Sequence, residues 1–359
     1  MFRPGSPLFA GPQNVEQGLP MTHQPDSASH RICVAPMMAW TDRHCRWFHR
    51  QLSARARLYT EMVTAAAICH GDTERLLRFD AVEHPVALQI GGADPDQLAR
   101  AARIGRDFGY DEINLNVGCP SDRVRSGRFG ACLMAEPALV AEGVAAMCEA
   151  VDIPVTVKCR IAIDDQDGEA SLDRFVGAVA GAGCGTVIVH ARKAWLEGLS
   201  PEDNRTVPPL DHGRVHRLKR DWPDLTVILN GGVATLDEGQ AHLAHVDGVM
   251  LGRAAYRTPW LLSGIDQRIF GNDAGPLSRL DVVDRLVGYA GREVARGTRL
   301  NHITRHIFGL FAGEPGARLW RRYLSENANS DGAGPQVLRE ARAMMEAIGE
   351  RALAGSRAA

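Results

Sequence analysis

The chain has 359 residues, 45% of them hydrophobic and 23% charged, with a formal net charge of −2. That length is enough for one large core with a smaller unit beside it. The near-neutral balance excludes a bulk affinity for nucleic acid or an anionic membrane, so any such affinity must come from charge that is unevenly distributed.

Residues 1–30 are rich in Pro, Gly, Gln and Ser and lack the apolar core of a signal peptide, which predicts a disordered leader. From residue 31 short apolar runs recur: RICVAPM near 31, LYTEMV near 58, VALQIGG near 86, EINLNVG near 112, VTVKCRI near 155, GTVIVHA near 185, TVILNGG near 226 and VDGVMLGR near 246. Most are short, rich in β-branched residues and not cleanly alternating, as strands covered on both faces should be. Between them lie segments such as PDQLARAARIGRDFG and PALVAEGVAAMCEAV, with helical apolar spacing and Pro or Gly at their ends. Eight strand–helix units predict an α/β fold, a (β/α)8 TIM barrel over residues 31–264. A doubly wound open sheet is the structural alternative, but no G-x-G-x-x-G follows the first strand.

Beyond residue 265 the strand rhythm stops. Helical patterning such as Val337, Ala341, Met344, Met345 and Ile348 predicts a small C-terminal helical domain over 265–350, with 351–359 as a disordered tail. From Arg292 to Arg322 there are seven arginines (292, 296, 299, 305, 318, 321, 322) against two acids (293, 314). Together with Trp320, Tyr323, His302 and His306 these could pair with phosphates and stack on unpaired bases, or simply form a solvated helical face. No run is long enough to span a membrane. The eight cysteines include no C-x-x-C pair, which argues against metal clusters and disulfide frameworks and fits a reducing cytoplasm.

The barrel fixes where chemistry should sit, at the carboxyl ends of the strands. Those ends carry Met37, Glu61, Gln89, Asn116 with Cys119, Lys158 with Arg160, His190, Asn230-Gly231-Gly232 and Gly252-Arg253. The glycines after strands seven and eight allow close backbone approach, and with Arg253 they suit a phosphate; taken singly they also read as tight turns. A lysine such as Lys158 beside a flavin places positive charge where the ring becomes electron-rich, and amides such as Gln89 and Asn116 suit a flavin or nucleobase edge. Cys119, between a glycine and a proline just past a strand, reads equally as a small buried hydrophobe or as a reactive thiol.

The stretches VAPMMAWTDRHCR (34–46), YTEMVTAAA (59–67), LQIGG (88–92), EINLNVGCPSDRV (112–124), VKCRI (157–161), VHARKAWLEGLSP (189–201), NGGV (230–233), GRAAY (252–256) and ARLWRRYLSE (317–326) resemble the tRNA-dihydrouridine synthases of the A subfamily. The resemblance covers about residues 31 to 350. It implies an enzyme with an FMN-binding TIM barrel and a helical tRNA-binding domain. It also implies that NADPH fuels reduction of uridine to dihydrouridine in the tRNA D-loop, at positions 20 and 20a. Carried over by motif, FMN would be held by Pro36, Met37, Met38, Gln89, Lys158, His190, Asn230, Gly231, Gly232, Gly252 and Arg253. Cys119 would deliver a proton to uracil C5 while flavin N5 would deliver hydride to C6; an ordinary thiol, with a pKa of about 8.5, is mostly protonated at neutral pH and so can act as an acid. Asn116, Glu202, Arg205, Arg318 and Arg321 would contact tRNA. The protein would be a cytoplasmic monomer that takes no metal and does not enter a membrane.

Many relatives carry an acidic residue where Ala39 stands, a glycine at Ala162 and a lysine at Glu202, so Arg205 would take more of the RNA contact. Two rivals stay open: an FMN barrel acting on a free pyrimidine, as dihydroorotate dehydrogenases do, and a non-catalytic tRNA-binding protein. The basic C-terminal region speaks against the first, and intact Cys119, Lys158 and His190 against the second.

Overall fold

The computed structural model describes residues 30–121, 127, 129–272 and 277–358. The expected leader, except His30, lies outside the described residues, as does most of Ser121–Gly130, whose three arginines and two glycines read in the sequence as a flexible segment that could close over RNA.

Nine parallel strands close into an eight-stave barrel. They are β1 (Ile32–Val34), β2 (Arg57–Tyr59), β3 (Val63–Thr64), β4 (Val86–Gly91), β5 (Glu112–Val117), β6 (Val155–Arg160), β7 (Thr186–His190), β8 (Thr226–Asn230) and β9 (Gly248–Leu251). Their order is β2-β1-β9-β8-β7-β6-β5-β4-β3, and pairing of β2 with β4 closes the ring. The open-sheet alternative is thereby excluded. The second stave, expected as one run near 58, is split: β2 pairs Leu58 with Val86, and after a break at 60–62, β3 pairs Val63 with Ile90.

The period of two along each strand divides its side chains between two cores. Val86, Leu88, Ile90, Val187, Val189, Val227, Leu229, Val249 and Leu251 join the layer under the helices. Ala87, Ile188, Ile228 and Met250, with Cys33, Ala35 and Tyr59, fill the axis. Burying each large aliphatic contributes about 1.5–3 kcal/mol. The same alternation continues inward to Gln89, Asn116, Lys158, His190 and Asn230, so the axis that is apolar at mid-height turns polar at the carboxyl ends.

The C-terminal helices dock on the barrel through the Arg43–Leu52 helix. Asp42 starts that helix by accepting from the backbone N–H groups of His44 and Cys45, both at 3.0 Å, and the helix ends at Ser53, whose backbone is extended. Its Trp47 stacks on Tyr289 of the Arg279–Ala295 helix with ring centroids 4.1 Å apart, and Arg43 pairs with Glu293. Asp42 also meets Arg305 at 2.5 Å and His306 at 3.0 Å. Burial would raise the Asp42 carboxyl, yet the His306 contact and the His44 and Cys45 interactions hold it well below its ordinary range. The last helix, Pro335–Ala358, buries Val337, Ala341 and Met345. It therefore runs through residues 351–358, which were expected to be a disordered tail. Alanine and arginine, both strong helix formers, make this continuation favourable once the preceding turns are packed.

Candidate active site

Cys119 sits half-buried just after β5, and its loop is held from beneath. Asn116 Oδ1 accepts the backbone N–H groups of Gly118 at 3.1 Å and Cys119 at 3.0 Å, and the Cys119 carbonyl accepts the Ala131 N–H at 2.9 Å. Arg160 Nε donates to the Gly118 carbonyl at 3.1 Å. The thiol itself lies 3.5 Å from Ser121 Oγ. An asparagine two residues before the turn, an arginine from the next strand and a proline after the cysteine thus fix the loop while leaving the sulfur partly open.

Around it, Lys158 Nζ donates to Asn230 Oδ1 at 3.0 Å, and Asn230 Nδ2 donates to the Met250 carbonyl at 2.8 Å. Gln89 is buried and its amide is engaged: Nε2 donates to Asn114 Oδ1 at 2.7 Å, and Oε1 accepts from Asn116 Nδ2 at 2.8 Å. Asn116 is likewise engaged through both amide atoms. Gln89, expected to face a ligand, therefore keeps for one only the second hydrogen of its amide nitrogen and the second lone pair of its oxygen.

Five cations converge here: Lys158, Arg160, Arg192, Arg205 and Arg253. Among the described residues none forms an ion pair; their recorded partners are carbonyls and one amide. Arg192 Nε is buried with no partner among the described residues. Burial, followed by the Arg160 charge, lowers the Lys158 pKa to about 8, and burial with Arg205 lowers that of Arg160 to about 10. His190 is pushed well below its ordinary value by burial and then by Arg160, Lys158, Arg192 and Arg205, so the imidazole is neutral. Such a set, costly while unmatched, suits a polyanion.

The two glycine motifs fit that reading. Gly231 has φ 107°, and a Cβ there would sit 2.6 Å from His190 Cδ2; Gly232 has φ 81°, and its Cβ would sit 2.5 Å from Leu210 Cδ1. Neither position accepts a side chain, whereas a Cβ at Gly252 would face open space. An orphaned guanidinium nitrogen, two bare backbone turns and an open approach at Gly252 together suit a phosphate. Pro36 is half-buried, Met37 packs against the axial core and Met38 is 58% exposed at the rim. Ala39 adopts φ 61°, with its N–H on the Glu61 carboxylate, while Ala162 is buried.

The loop after β7 carries exposed Glu202 and Arg205, and the Arg205 carbonyl accepts from Arg253 Nη2 at 3.3 Å. Its anchor is Asn204, fully buried, whose side chain closes on both the N–H and the carbonyl of Trp195. Sequence reading missed Asn204, because an asparagine inside SPEDNR looks solvent-facing. It also missed the exposed apolar rim of Met38, Trp195, Val207 and Leu210, for which the only signal was a hydrophobic residue in a polar loop.

On the Ala317–Asn327 helix Arg318 and Arg321 are exposed and form no ion pair among the described residues. The expected aromatic partners differ. Trp320 is fully buried, its Nε1 donating to the Ile307 carbonyl at 3.0 Å, and His306 is buried against Asp42 and Tyr256. Neither is placed to stack on a base: at a spacing of 3.6 residues per turn position 320 faces inward when 318 and 321 face out, and His306 is held by Asp42 and Tyr256. His302 remains exposed and Tyr323 half-buried.

The chain matches the model of the dihydrouridine synthase family over residues 33–348. It is 56% identical to the tRNA-dihydrouridine(20/20a) synthase of Vibrio cholerae over 322 residues, 89% of this chain and 97% of that protein. It is 56% identical to the protein of the same name in Shewanella oneidensis (85% and 91%) and 55% identical to that of Salmonella typhimurium (90% and 97%).

Proposed function

The chain belongs to the dihydrouridine synthase family, and from that premise we propose that it reduces uridine to 5,6-dihydrouridine in the D-loop of tRNA, at positions 20 and 20a, with bound FMN and with NADPH as reductant. The enzyme acts as a cytoplasmic monomer; among the described residues no helix is long and apolar enough to cross a membrane.

The observation that carries the reading is the unpaired cationic mouth surrounding a loop-held thiol. A bound flavin supplies the hydride for uracil C6. Gly231, Gly232, Gly252 and Arg253 hold its phosphate, Lys158 keeps two N–H donors for the ring after its bond to Asn230, and Pro36 to Met38 with the free Gln89 hydrogen and His190 line the remainder. Cys119 holds the proton for C5 on Sγ. His190, kept neutral by its cationic neighbours, is a poor alternative acid. Exposed Arg205, Glu202, Arg318 and Arg321, with the helical region 265–350, bind the RNA outside the pocket, which offsets the cost of drawing the target base out of its stack.

The test is a single-turnover reaction: NADPH-reduced protein is mixed anaerobically with unmodified tRNA, flavin reoxidation is followed and reduced uridines are mapped by mass spectrometry. The expected result is reoxidation with dihydrouridine at 20 and 20a. Reoxidation by a free pyrimidine but not by tRNA would overturn the substrate.

A further inference from the structure

Five side chains from three adjacent strands form one hydrogen-bond chain along the barrel axis. On β5, Glu112, Asn114 and Asn116 occupy alternate positions and so face the same way, and register sets Asn114 beside Gln89 of β4 and Thr156 of β6. Thr156 Oγ1 donates to Glu112 Oε1 at 2.6 Å, and Asn114 Nδ2 donates to Thr156 Oγ1 at 2.8 Å. Gln89 Nε2 donates to Asn114 Oδ1 at 2.7 Å, and Asn116 Nδ2 donates to Gln89 Oε1 at 2.8 Å. The last oxygen, Asn116 Oδ1, takes the N–H groups of Gly118 and Cys119.

The chain has one possible direction, set by its two ends. Backbone N–H groups only donate, so Asn116 must offer them oxygen and turn its nitrogen to Gln89; the same reasoning then orients Gln89 and Asn114. At the other end a carboxylate only accepts, so Thr156 must give it the hydroxyl proton and is left free to accept from Asn114. Glu112 is fully buried and further engaged by Tyr59 OH at 2.8 Å, His30 Nε2 at 2.6 Å and Arg57 at 3.4 Å. Burial alone would raise its carboxyl, yet the His30 hydrogen bond and the Arg57 charge hold it below its usual range, so it is ionised.

We infer that Glu112, at the amino end of the barrel, is a positioning residue for Cys119 at the carboxyl end, acting through the polarised chain Thr156–Asn114–Gln89–Asn116. With the carboxylate in place every amide is locked, and Asn116 always meets the Cys119 loop with its oxygen. Remove the acceptor end and only the loop N–H groups still order the amides: Asn114 Nδ2 is left buried without its acceptor, the chain loses its anchored end, and the hold of Asn116 on the Cys119 loop slackens. The kinetic part of the test rests on the uridine-reducing reading; the chemical part does not.

Thr156→Val keeps shape while deleting the hydroxyl, and it leaves the contacts of Glu112 with His30, Tyr59 and Arg57 intact, so it isolates the chain where Glu112→Gln could unfold the barrel. In the full-length flavin-loaded protein, dihydrouridine turnover is expected to fall about 10- to 100-fold with KM for tRNA unchanged. In the same variant the rate of iodoacetamide alkylation of Cys119, resolved by peptide mass spectrometry, is expected to rise severalfold while that of half-buried Cys148 stays constant. Thr156→Ser restores both. Wild-type turnover and wild-type Cys119 alkylation in Thr156→Val would overturn the proposal. So would a loss that Thr156→Ser does not rescue, or that leaves Cys119 alkylation unmoved, since either is what general destabilisation produces. If the wild-type protein made no dihydrouridine, the functional reading would fail and the alkylation rates would still decide the relay.

Discussion

The two ends of the barrel axis are both charged and obey opposite rules. At the floor, Glu112 is matched by Arg57, His30, Tyr59 and Thr156, and all but the half-buried His30 are closed to solvent. At the mouth, Lys158, Arg160, Arg192, Arg205 and Arg253 crowd together with no carboxylate among their recorded partners, and burial and neighbouring cations lower the pKa values of Lys158, Arg160 and Arg192. Charge matched inside the chain holds the fold. Charge left unmatched waits for an anion, and the protein tolerates its cost for that purpose.

Six substitutions test this contrast. The largest effect belongs to the mouth: Cys119→Ala is expected to lower dihydrouridine formation about 10²–10⁴-fold, the usual contribution of a positioned acid, with flavin content unchanged by absorbance. Product at the wild-type rate would remove the acid role. At the floor, Arg57→Met leaves Glu112 buried without its cation and should cost about 3–5 kcal/mol in chemical denaturation. The matching change at the mouth, Arg253→Met, should alter stability by less than about 0.5 kcal/mol; equal losses at both ends would erase the distinction drawn here.

Arg318→Ala and Arg321→Ala should each weaken tRNA binding and flatten its dependence on salt by about one unit of slope per lost phosphate contact, read by filter binding over a salt series. The smallest effect is with pH. The Lys158 amine, lowered to about 8, sheds its proton in the native state before it does in the unfolded chain, so the unfolded state binds more protons between pH 8 and the ordinary lysine value of about 10.4. Lys158 therefore contributes a rise in stability through that window, against the fall from the Cys33, Cys45, Cys159 and Cys184 thiols, whose pKa values burial raises, and Lys158→Met should make the net fall steeper when the two melting curves are compared.

Much of this was legible in the chain itself. Periodic apolar runs place all eight staves, because strands buried on both faces must be continuously hydrophobic, and the barrel's geometry then names Lys158, His190, Asn230 and Cys119 as mouth residues before any coordinate is known. What could not be read were properties that depend on neighbours distant in sequence. Trp320 and His306 look like base-stacking groups in a basic segment, and only helix docking turns them inward. Asn204 looks exposed until its loop closes around it. Gln89 looks free until Asn114 and Asn116 take its amide from the next strand. The sequence by itself determined which residue types reach each strand end, since alternation is a local property of the backbone. Only the tertiary structure decided which of them are already satisfied, because a hydrogen bond or a charge pair needs two partners, and the register of closed parallel strands chooses the second.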